Sequence, residues 1–559
     1  MEPMEKIGEV TPSWDVVVVG GGPVGCAVGL ELRRHGVRCL VVERDAVTPR
    51  YPVKAMFLNP RTLEFMRRWG IAGEIRAAAT TPDGWRKGVT FATSLSGKDL
   101  GHYRDGFDFR AAEEGDDVSE GAQVIMQPDT LRVMRAALIH SGADYHEGVT
   151  VDELAVEADG VVVRLTDQES GHTSTLRATY VVGADGPQSI VRSTAGIERS
   201  GRGGIGANLL LHFRVEGLLD EVGPTPAAFT SLTSPTGSAL VVPIDRDTWC
   251  AHVAGYPVDV DVDSLDVAAI VRRIIGADRP FEVVYAGAYK IHERIADEYR
   301  AGRLFVAGDA AHLYAPFGGH NMNSGLGDAV NLGWKLGAVV NGWAEDALLD
   351  TYGAERRPIA VTNATEASSN VARFVGTAKS IIQEMAGVHV DAPGVESESM
   401  RRAWGDRLWQ GTKLQYVARG ITLDQRYVSA AVAADDDEVA PWTSMTYVPS
   451  AKPGHRLPHV WMEDGSSLYD HLGDGLTLLA APSMSAEVER MSQIAAASGI
   501  PLHVIELSNP ALRVKCGASL VLVRPDQHVA WRGHELGDAT AVLAVATGRA
   551  CPSEVSGAA

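Results

Sequence analysis

The sequence has few cysteines and no two of them in a CxxC arrangement. Its five cysteines, at positions 26, 39, 250, 516 and 551, are scattered over 559 residues. Thiol redox motifs and zinc clusters need cysteines at short, regular spacing, so both classes are excluded. Scattered cysteines also fit a reducing compartment, where disulfides do not persist.

Long apolar runs are missing as well. No stretch approaches the roughly 18 uninterrupted apolar residues that a membrane-spanning helix needs. Residues 1–14, MEPMEKIGEVTPSW, contain no apolar signal core. We therefore expect a cytoplasmic protein.

Positive charge is in deficit: 51 Lys and Arg residues stand against 71 Asp and Glu residues, for a net charge of −20. Such acidity opposes binding to nucleic-acid phosphates and to anionic membranes. The sequence therefore predicts no nucleic-acid partner and no membrane partner, while a homo-oligomer is compatible with it. The length suggests two to four globular domains.

What the sequence does contain is a glycine-rich turn, GGGPVG, between two apolar runs of residues 14–44. Gly20 permits a sharp turn, Gly22 lets a pyrophosphate approach the backbone, and Gly25 lets the following helix pack against the sheet. The unpaired amides of that helix would hold the phosphates, and Glu43 would accept hydrogen bonds from a ribose. The stretch predicts a dinucleotide-binding strand–helix–strand unit.

A second stretch, GRGGIG at residues 201–206, fits the same GxGxxG pattern. No strand precedes it, and the apolar residues after it alternate with polar ones (Leu209, Leu211, Phe213), which is typical of a strand and not of a helix. We interpret it as a flexible loop that leads into a sheet and not as a second nucleotide site.

The remaining pattern divides the chain into several regions. Helices are predicted at 60–69, 129–140 and about 324–340, with helical sequence to about 430, and buried strands at 178–183 and 303–309. Residues 207–290 are β-rich, and 80–122, with the acidic Glu113, Glu114, Asp116 and Asp117, are interpreted as surface loops and short strands. The acidic run 435–438 marks a linker, after which strands alternate with a helix.

Three further stretches, DGPQSIVR (185–192), GDAAH (308–312) and PFGGHNMN (316–323) followed by DAVNL (328–332), carry a family resemblance. Together with the first glycine motif they resemble the group A flavin-dependent aromatic hydroxylases, the para-hydroxybenzoate hydroxylase superfamily, over about residues 14–430. The tail resembles the redox-silent thioredoxin-like domain of phenol hydroxylase-like members.

The resemblance implies an α/β fold with three parts. A Rossmann-like FAD-binding domain would comprise 14–200 and, after an insertion, 291–435. The insertion, 201–290, would form a β-sheet substrate domain. Residues 440–555 would form the C-terminal thioredoxin-like domain.

The resemblance also implies an FAD site. Gly20, Gly22, Gly25 and Glu43 would hold the ADP half, and Asp309 would contact the ribityl chain. The backbone amides of Met322 and Asn323 would face N1 and C2=O of the flavin, where reduction adds negative charge. The other implied contacts are Arg44 and Lys54 (phosphate), Gln127 (flavin), Val151 (adenine), Asp185 (flavin and nicotinamide groove) and Pro316 (flavin loop).

The flavin loop departs from the family pattern at His320-Asn321, where Gln-Gly is usual. Asn321 tolerates a positive φ better than most residues, so the turn can be kept. His320 has two interpretations, a proton donor near the flavin and a solvent-facing loop residue. His312 is interpreted as a packed residue that supports the site.

The activity implied is an FAD-dependent monooxygenase that uses NAD(P)H and O₂ to hydroxylate a phenolic or polycyclic aromatic substrate through a flavin C4a-hydroperoxide. The alternatives are a Baeyer–Villiger-type oxygenase and a non-catalytic FAD protein that sequesters a reactive intermediate. A base that ionises a substrate hydroxyl would assist hydroxylation. His212, Arg214, His252 and Tyr256 are candidates by chemistry alone, and no catalytic residue follows from the sequence.

Overall fold

The computed structural model describes residues 11–79, 86–108, 115–221, 227–235 and 237–549. The described strands are β1 (Thr11–Val19), β2 (Cys39–Glu43), β3 (Phe57–Leu58), β4 (Arg86–Ala92), β5 (Asp99–Tyr103), β6 (Gln123–Val124), β7 (Asp144–Glu147), β8 (Val149–Val156), β9 (Val161–Asp167), β10 (Thr173–Gly183), β11 (Arg199–Arg214), β12 (Ala227–Ser234), β13 (Gly237–Pro243), β14 (Thr248–Tyr256), β15 (Glu282–Ala296), β16 (Arg300–Ala301), β17 (Leu304–Val306), β18 (His312–Leu313), β19 (Leu476–Ala480), β20 (Leu502–Glu506), β21 (Leu520–Val523) and β22 (Val529–Gly533). The described α-helices are α1 (Pro23–Arg34), α2 (Pro60–Arg68), α3 (Ala72–Ala77), α4 (Gln127–His140), α5 (Ile190–Thr194), α6 (Leu218–Glu221), α7 (Val267–Ile275), α8 (His320–Val340), α9 (Ala347–Met385), α10 (Val395–Thr412), α11 (Arg419–Leu423), α12 (Ser485–Ala497), α13 (Pro510–Cys516) and α14 (Ala539–Ala546).

The first sheet has the order β16-β17-β10-β1-β2-β7, with β9 paired to β10 and β8 to β9. Strand β1 runs parallel to both of its neighbours, β2 and β10, and β10 runs parallel to β17. Its apolar run 16–19 is buried because helices and strands cover both faces of the sheet. In such a sheet ligands bind beyond the carboxyl ends of the strands, which is where the glycine turn at 20–25 lies.

The second sheet has the order β18-β15-β11-β14-β13-β12-β4-β5. The predicted flexible loop at 201–206 is wrong, because these residues lie inside the long strand β11, where the pairing with β15 shifts register between Arg202 and Gly206. The expectation that no helix follows this motif is confirmed. The glycines allow close pairing, because a Cβ added at Gly201 would lie only 2.1 Å from the Glu293 carbonyl oxygen.

The stretch interpreted as loops and short strands, 80–122, contributes more to this sheet than expected. Strand β4 pairs in parallel with β12 and antiparallel with β5, and both β4 and β5 are part of the second sheet. Residues 80–85 and 109–114, including Glu113 and Glu114, lie outside the described residues. Asp116, of the same acidic patch, forms an ion pair with Lys515 at 3.0 Å.

Helix α8 begins earlier than predicted, and the predicted linker at 435–438 makes contacts with the C-terminal region. Helix α8 begins at His320, four residues before the predicted start, because the preceding glycine, Gly319, takes a left-handed conformation (φ 69°) at the N-cap. In the acidic run 435–438, Asp435 and Asp437 bind Arg532 of β22, so the run is tied to the C-terminal sheet.

The C-terminal region forms a third sheet with the order β20-β19-β21-β22. The predicted α/β fold class is confirmed, and the domain boundaries stay a prediction. No helix in the described part of the chain is long and apolar enough to cross a membrane.

Candidate active site

The glycine turn at the start of α1 is crowded on its inner side and open on its outer side. Gly20 has φ 101°, and a Cβ there would lie 2.4 Å from the Ala184 carbonyl oxygen. A Cβ at Gly25 would lie 1.8 Å from the Gly20 oxygen, whereas a Cβ at Gly22, the N-cap of α1, would meet nothing within 4 Å. Open space beside unpaired helix amides is what a pyrophosphate requires, so the turn fits a dinucleotide.

The acidic residue at the end of β2 supports this turn directly. Glu43 accepts a hydrogen bond from the Gly21 amide at 2.7 Å with Oε2, and from the Asp45 amide at 2.8 Å with Oε1. Arg44 is exposed and bonds to Asp45 at 3.4 Å. The structure therefore brings Glu43 to the glycine turn, while Arg44 points towards a surface carboxylate.

The other residues expected around the adenine and flavin occupy different elements. Val151 is buried in β8, and Gln127 is the first residue of α4, where its amide bonds to the Ala55 carbonyl at 2.8 Å. Lys54, next to Ala55, is exposed and lines the large cavity described below, together with Pro316 and Met322. Their contacts with FAD stay predictions.

Asp309 lies in a 3₁₀ turn, Gly308–Ala310, that packs against the start of α1. A Cβ at Gly308 would lie 2.8 Å from Val24 of α1, so the turn and the helix meet closely. The carboxylate does not cap the turn. Asp309 is exposed, and desolvation by the surrounding protein still raises its pKa, against the charges of His312, Lys54 and Arg199. A carboxylate held in this way can accept hydrogen bonds from the hydroxyls of a bound chain.

Asp185 serves the local turn. Its Oδ2 accepts hydrogen bonds from the Ile190 amide at 2.7 Å and the Val191 amide at 3.3 Å, at the start of α5. Burial raises the pKa of the Asp185 carboxyl, against several local hydrogen bonds. Asp185 also follows the residue against which Gly20 packs, so it lies beside the glycine turn.

The backbone amides of the N-cap Gly319 and of the first turn of α8 point away from the helix body, because no preceding helical carbonyl pairs with them. Met322 belongs to this set. Asn323 also lies in this first turn, and the contact of its backbone amide with the flavin stays a prediction. Its side chain donates a hydrogen bond to the Gly319 carbonyl at 2.7 Å. It accepts from the Asn59 amide at 3.0 Å and donates to the Phe57 carbonyl at 3.1 Å. Asn323 thereby ties the helix start to β3.

Further along α8, Asp328 fixes the helix to the 3₁₀ turn. It accepts hydrogen bonds from the Gly308 amide at 3.1 Å and from Arg356 at 2.8 Å, and it contacts His312 Nε2 at 2.7 Å. Burial acts to raise the Asp328 pKa, but His312 and Arg356 hold it below its ordinary value. His312 is fully buried and stacks on Tyr314, so it packs in support of the site, as the sequence suggested.

A buried charge cluster, formed by Lys335, Glu355, Arg524 and Asp526, holds the middle of α8 to the C-terminal region. Glu355 of α9 contacts Lys335 of α8 at 2.6 Å and Arg524 at 2.6 Å, and Arg524 contacts Asp526 at 2.5 Å. Each of these side chains is 2% exposed or less. Burial opposes ionisation of Glu355, but Arg524 and Lys335 hold its pKa well below the ordinary value.

The large cavity lies between the second sheet and the amino end of α8, with an empty volume of about 1110 Å³. Residues 316–322 form its helix wall, and residues of the five strands β11 to β15 form its sheet wall. Aromatic side chains contribute much of the remaining surface: Phe57, Phe107, Phe229, Phe317, Phe374 and Tyr416.

Polar side chains interrupt this sheet wall, and three of them are joined by hydrogen bonds. The Tyr289 hydroxyl of β15 lies 3.1 Å from His252 Nδ1 of β14 and accepts a hydrogen bond from Asn208 of β11 at 3.1 Å. Burial raises the Tyr289 pKa to about 12 and lowers the His252 pKa to about 4, so both are neutral at pH 7. In the His252 tautomer that carries its proton on Nε2, Nδ1 accepts the Tyr289 proton, and the Tyr289 oxygen, which already accepts from Asn208, keeps one lone pair for a ligand.

Of the four candidate bases, the structure brings only His252 to the cavity wall. His212 is fully buried, and its Nε2 accepts from the Val53 amide at 3.3 Å. Arg214 is exposed and lies 3.7 Å from Glu216, and Tyr256 is not in the cavity lining. Sequence reasoning missed Tyr289 and Asn208, because only the pairing of β11 with both β14 and β15 brings them to His252.

The interpretation of His320 as a solvent-facing loop residue is wrong. His320 is the first residue of α8, and only 6% of its surface is exposed. Its ring lines the large cavity.

Comparison with known proteins agrees with the geometry. The family model "FAD binding domain" matches residues 13–367, and "Aromatic-ring hydroxylase, C-terminal" matches residues 450–551. A putative polyketide hydroxylase of Streptomyces halstedii is 31% identical over 95% of this chain and 95% of its own length. RebC with bound 7-carboxy-K252c superposes with a TM-score of 0.85 at 31% identity, over 96% of this chain and 99% of that chain. Aklavinone-11 hydroxylase with FAD and aklavinone superposes with a TM-score of 0.79 at 29% identity, over 97% and 100%.

Proposed function

Because this chain belongs to the FAD-dependent aromatic-ring hydroxylases, we propose that it hydroxylates a fused polycyclic phenol bound in the cavity between the second sheet and α8. FAD is the cofactor and NAD(P)H the reductant. When bound, FAD activates O₂ and transfers one oxygen atom to the substrate, and the protein supplies position and a dry, shaped site.

The observation that carries the substrate class is the aromatic lining of the cavity. Among the described residues, six aromatic side chains line it in addition to Tyr289. These aromatic walls favour stacking with flat rings. The polycyclic ligand aklavinone, in the related hydroxylase, supports a fused substrate.

The Tyr289 oxygen is proposed to orient this substrate. Its free lone pair would accept a hydrogen bond from a substrate hydroxyl, while His252 and Asn208 fix the direction of that lone pair. A substrate without a hydroxyl at this point would leave the buried Tyr289 oxygen partly unpaired, at a cost of about 1–3 kcal/mol.

The FAD contacts are part of the proposal. The amides of α1 and Gly22 would hold the pyrophosphate, Glu43 the ribose and Asp309 the ribityl hydroxyls. The backbone amides in the first turn of α8, among them those of Met322 and Asn323, would stabilise negative charge on the flavin ring. The contacts of Arg44, Lys54, Gln127, Val151, Asp185 and Pro316 are kept as the resemblance implies them.

The test compares NAD(P)H oxidation by FAD-loaded protein with a fused three- or four-ring hydroxyquinone and with phenol. The expected result is faster, product-coupled oxidation with the fused substrate, and NMR should locate the added oxygen as a ring hydroxyl. An oxygen inserted into a ring would favour the Baeyer–Villiger alternative. Bound FAD without turnover on any ligand would favour sequestration.

The variant Tyr289→Phe tests the orienting contact. We expect KM for the fused phenol to rise about fivefold to tenfold, the size of one hydrogen bond. The matched control is Tyr285→Phe on the same strand, whose ring packs against His212 outside the cavity lining. Equal kinetics for the two variants would contradict the orienting role.

We also propose a cytoplasmic location, since NAD(P)H is supplied there and the cysteines at 26, 39, 250 and 516 are free. A homo-oligomer stays part of the proposal, to be tested by light scattering.

A further inference from the structure

The large cavity contains a second set of polar side chains, apart from Tyr289 and its two hydrogen-bond partners. This set, the far polar group, consists of Ser231 of β12 and the consecutive residues Gln415 and Tyr416. Gln415 ends a short 3₁₀ turn that follows α10. All three side chains line the cavity, and none of them takes part in the contact that orients the substrate through Tyr289.

An apolar strand position separates the far polar group from the His252 that pairs with Tyr289. His252 of β14 pairs with Leu240 of β13, and Leu240 pairs with Ser231 of β12. Residues directly opposite each other on neighbouring strands lie on the same face of the sheet, and neighbouring strands are about 4.8 Å apart. The backbones of His252 and Ser231 are therefore roughly 10 Å apart, with Leu240 between them.

Tyr416 is held by both its backbone and its ring. Its carbonyl accepts a hydrogen bond from the Phe107 amide at 2.6 Å, and its ring packs edge-on against the Phe107 ring, with centroids 5.2 Å apart. Phe107 has φ 69°, in the left-handed region that few non-glycine residues adopt. Such a conformation persists only where surrounding contacts maintain it, so the turn at Phe107 and Tyr416 fix each other in position.

The far polar group is neutral and contains both hydrogen-bond donors and acceptors. Burial raises the pKa of Tyr416 to about 12, against hydrogen bonds of the Ser231 and Gln415 side chains. Hydroxyl and amide groups donate and accept, so this group can pair with a hydroxyl or with a carbonyl oxygen. Among the described residues that line the cavity, Lys54 alone is charged at pH 7, and its charge acts on Asp309 of the proposed FAD site. A carboxylate at the far polar group would therefore be buried without a cation, which is costly.

We propose that the far polar group is a second recognition site, which binds a neutral oxygen substituent at the end of the substrate opposite to the hydroxyl held by Tyr289. This inference rests on the proposed function and makes its substrate class more specific. A single ring is too small to place one oxygen at each of the two sites, whereas a frame of three fused rings spans them. The substrate is then a fused phenol that carries a second hydroxyl or a carbonyl on its far terminal ring.

The experiment measures ligand binding to oxidised, FAD-loaded protein without NAD(P)H, so it does not depend on turnover. The probes are a hydroxyanthraquinone with one terminal hydroxyl and a dihydroxyanthraquinone with a hydroxyl on each terminal ring. The Kd of each probe is measured from the change in flavin absorption. We expect the wild type to bind the dihydroxy probe about tenfold more tightly, the size of one hydrogen bond, whereas its symmetry alone accounts for about twofold. A carboxylate in place of the second hydroxyl should raise the Kd about tenfold or more.

Variants separate recognition from packing. Tyr416→Phe should raise the Kd of the dihydroxy probe about fivefold and change that of the monohydroxy probe less than twofold, and Ser231→Ala should act in the same direction. A packing defect would instead weaken both probes equally. The matched control is Tyr103→Phe, whose ring stacks on Trp409 beside Tyr416 but does not line the cavity, and it should change neither Kd. FAD content, measured for each variant, shows whether the protein has folded.

Equal Kd values for the two probes in the wild type would overturn the inference, as would an unchanged preference in both Tyr416→Phe and Ser231→Ala. Binding of the carboxylated probe as tightly as the dihydroxy probe would overturn the neutral character of the site. Wild-type turnover of the hydroxyanthraquinones in these cases would show that only the second recognition site had failed. Absence of binding and of turnover with every fused probe would instead contradict the proposed function.

Discussion

Two stretches of this chain share the GxGxxG pattern and adopt different structures. Residues 20–25 form a tight turn between β1 and α1, and residues 201–206 lie in β11. In the first stretch Gly25 packs against Gly20, Gly20 packs against Ala184, and Gly22 stays open to a ligand. In the second stretch Gly201 and Gly203 pack against the neighbouring strand β15. The residues around the glycines, and not the glycines themselves, decide the outcome. Helical apolar spacing follows the first, and strand alternation follows the second.

The largest contrast should come from Gly25→Ala and Gly203→Ala. A Cβ at Gly25 would lie 1.8 Å from the Gly20 backbone oxygen, which cannot move without opening the turn. We expect a loss of more than about 3 kcal/mol in unfolding free energy, measured by urea denaturation. A Cβ at Gly203 meets the end of the Arg294 side chain at 2.5 Å, which can rotate away, so that variant should stay near wild type. Equal losses would remove the distinction.

The second contrast concerns the stability of the fold at low pH. Strand β11, which carries the second motif, buries His212 completely, and burial lowers its pKa to about 4. The unfolded chain, with an ordinary histidine pKa of about 6.5, therefore takes up this proton first as the pH falls. This share of stability is full above pH 6.5 and is lost towards pH 4, by about 1.4 kcal/mol per unit.

Urea denaturation at pH 7 and pH 5 checks this share. His212→Gln, whose amide oxygen can still accept from Val53, should lose less stability than the wild type between the two pH values. His146→Gln, exposed on β7 of the first sheet, should behave as the wild type. A pH response of His212→Gln identical to that of the wild type would contradict the assignment.

Gly22→Ala and Gly206→Ala provide the cleanest test of ligand binding. A Cβ at Gly22 meets nothing within 4 Å, and one at Gly206 meets its nearest neighbour at 3.9 Å, so both variants should fold. Only the methyl group at 22 would occupy the space of the pyrophosphate. We expect the Kd for FAD, measured by flavin fluorescence, to rise tenfold to a hundredfold for Gly22→Ala, about 1.4–2.8 kcal/mol, and to change less than twofold for Gly206→Ala.

The smallest effect is expected from the acidic partner of each motif. Glu43→Gln keeps an acceptor for the Gly21 amide but weakens the hydrogen bond to a ribose, so the Kd for FAD should rise about threefold to fivefold. Glu293→Gln removes the ion pair with Arg202, 2.8 Å away beside the second motif, and should leave FAD binding unchanged. FAD titration of both variants checks this, and similar shifts would contradict it.

The comparison also shows what the sequence could predict. Local patterns were sufficient for β1, α1 and β2, because each is determined by neighbours within a few residues. The predicted start of α8 lay four residues too far along the chain, since the true start depends on the left-handed Gly319. The strand at 201–206 depends on pairing with β15, some ninety positions away. The Asn208–Tyr289–His252 arrangement required three strands to come together, which no local pattern contains. The burial of His320 depends on how the start of α8 packs, which no local pattern contains.

The buried charge cluster has a consequence for recombining this chain with its relatives. A chimera that receives a foreign carboxyl-terminal segment keeps Lys335 and Glu355 but exchanges residues 524 and 526. If the donor carries a neutral residue at 524, buried Glu355 loses one of its two cationic partners. This loss lowers the unfolding free energy by about 3–5 kcal/mol. A graft that exchanges the four side chains together avoids that cost. The buried charge cluster, and not the predicted linker at 435–438, therefore decides which residues must be exchanged together.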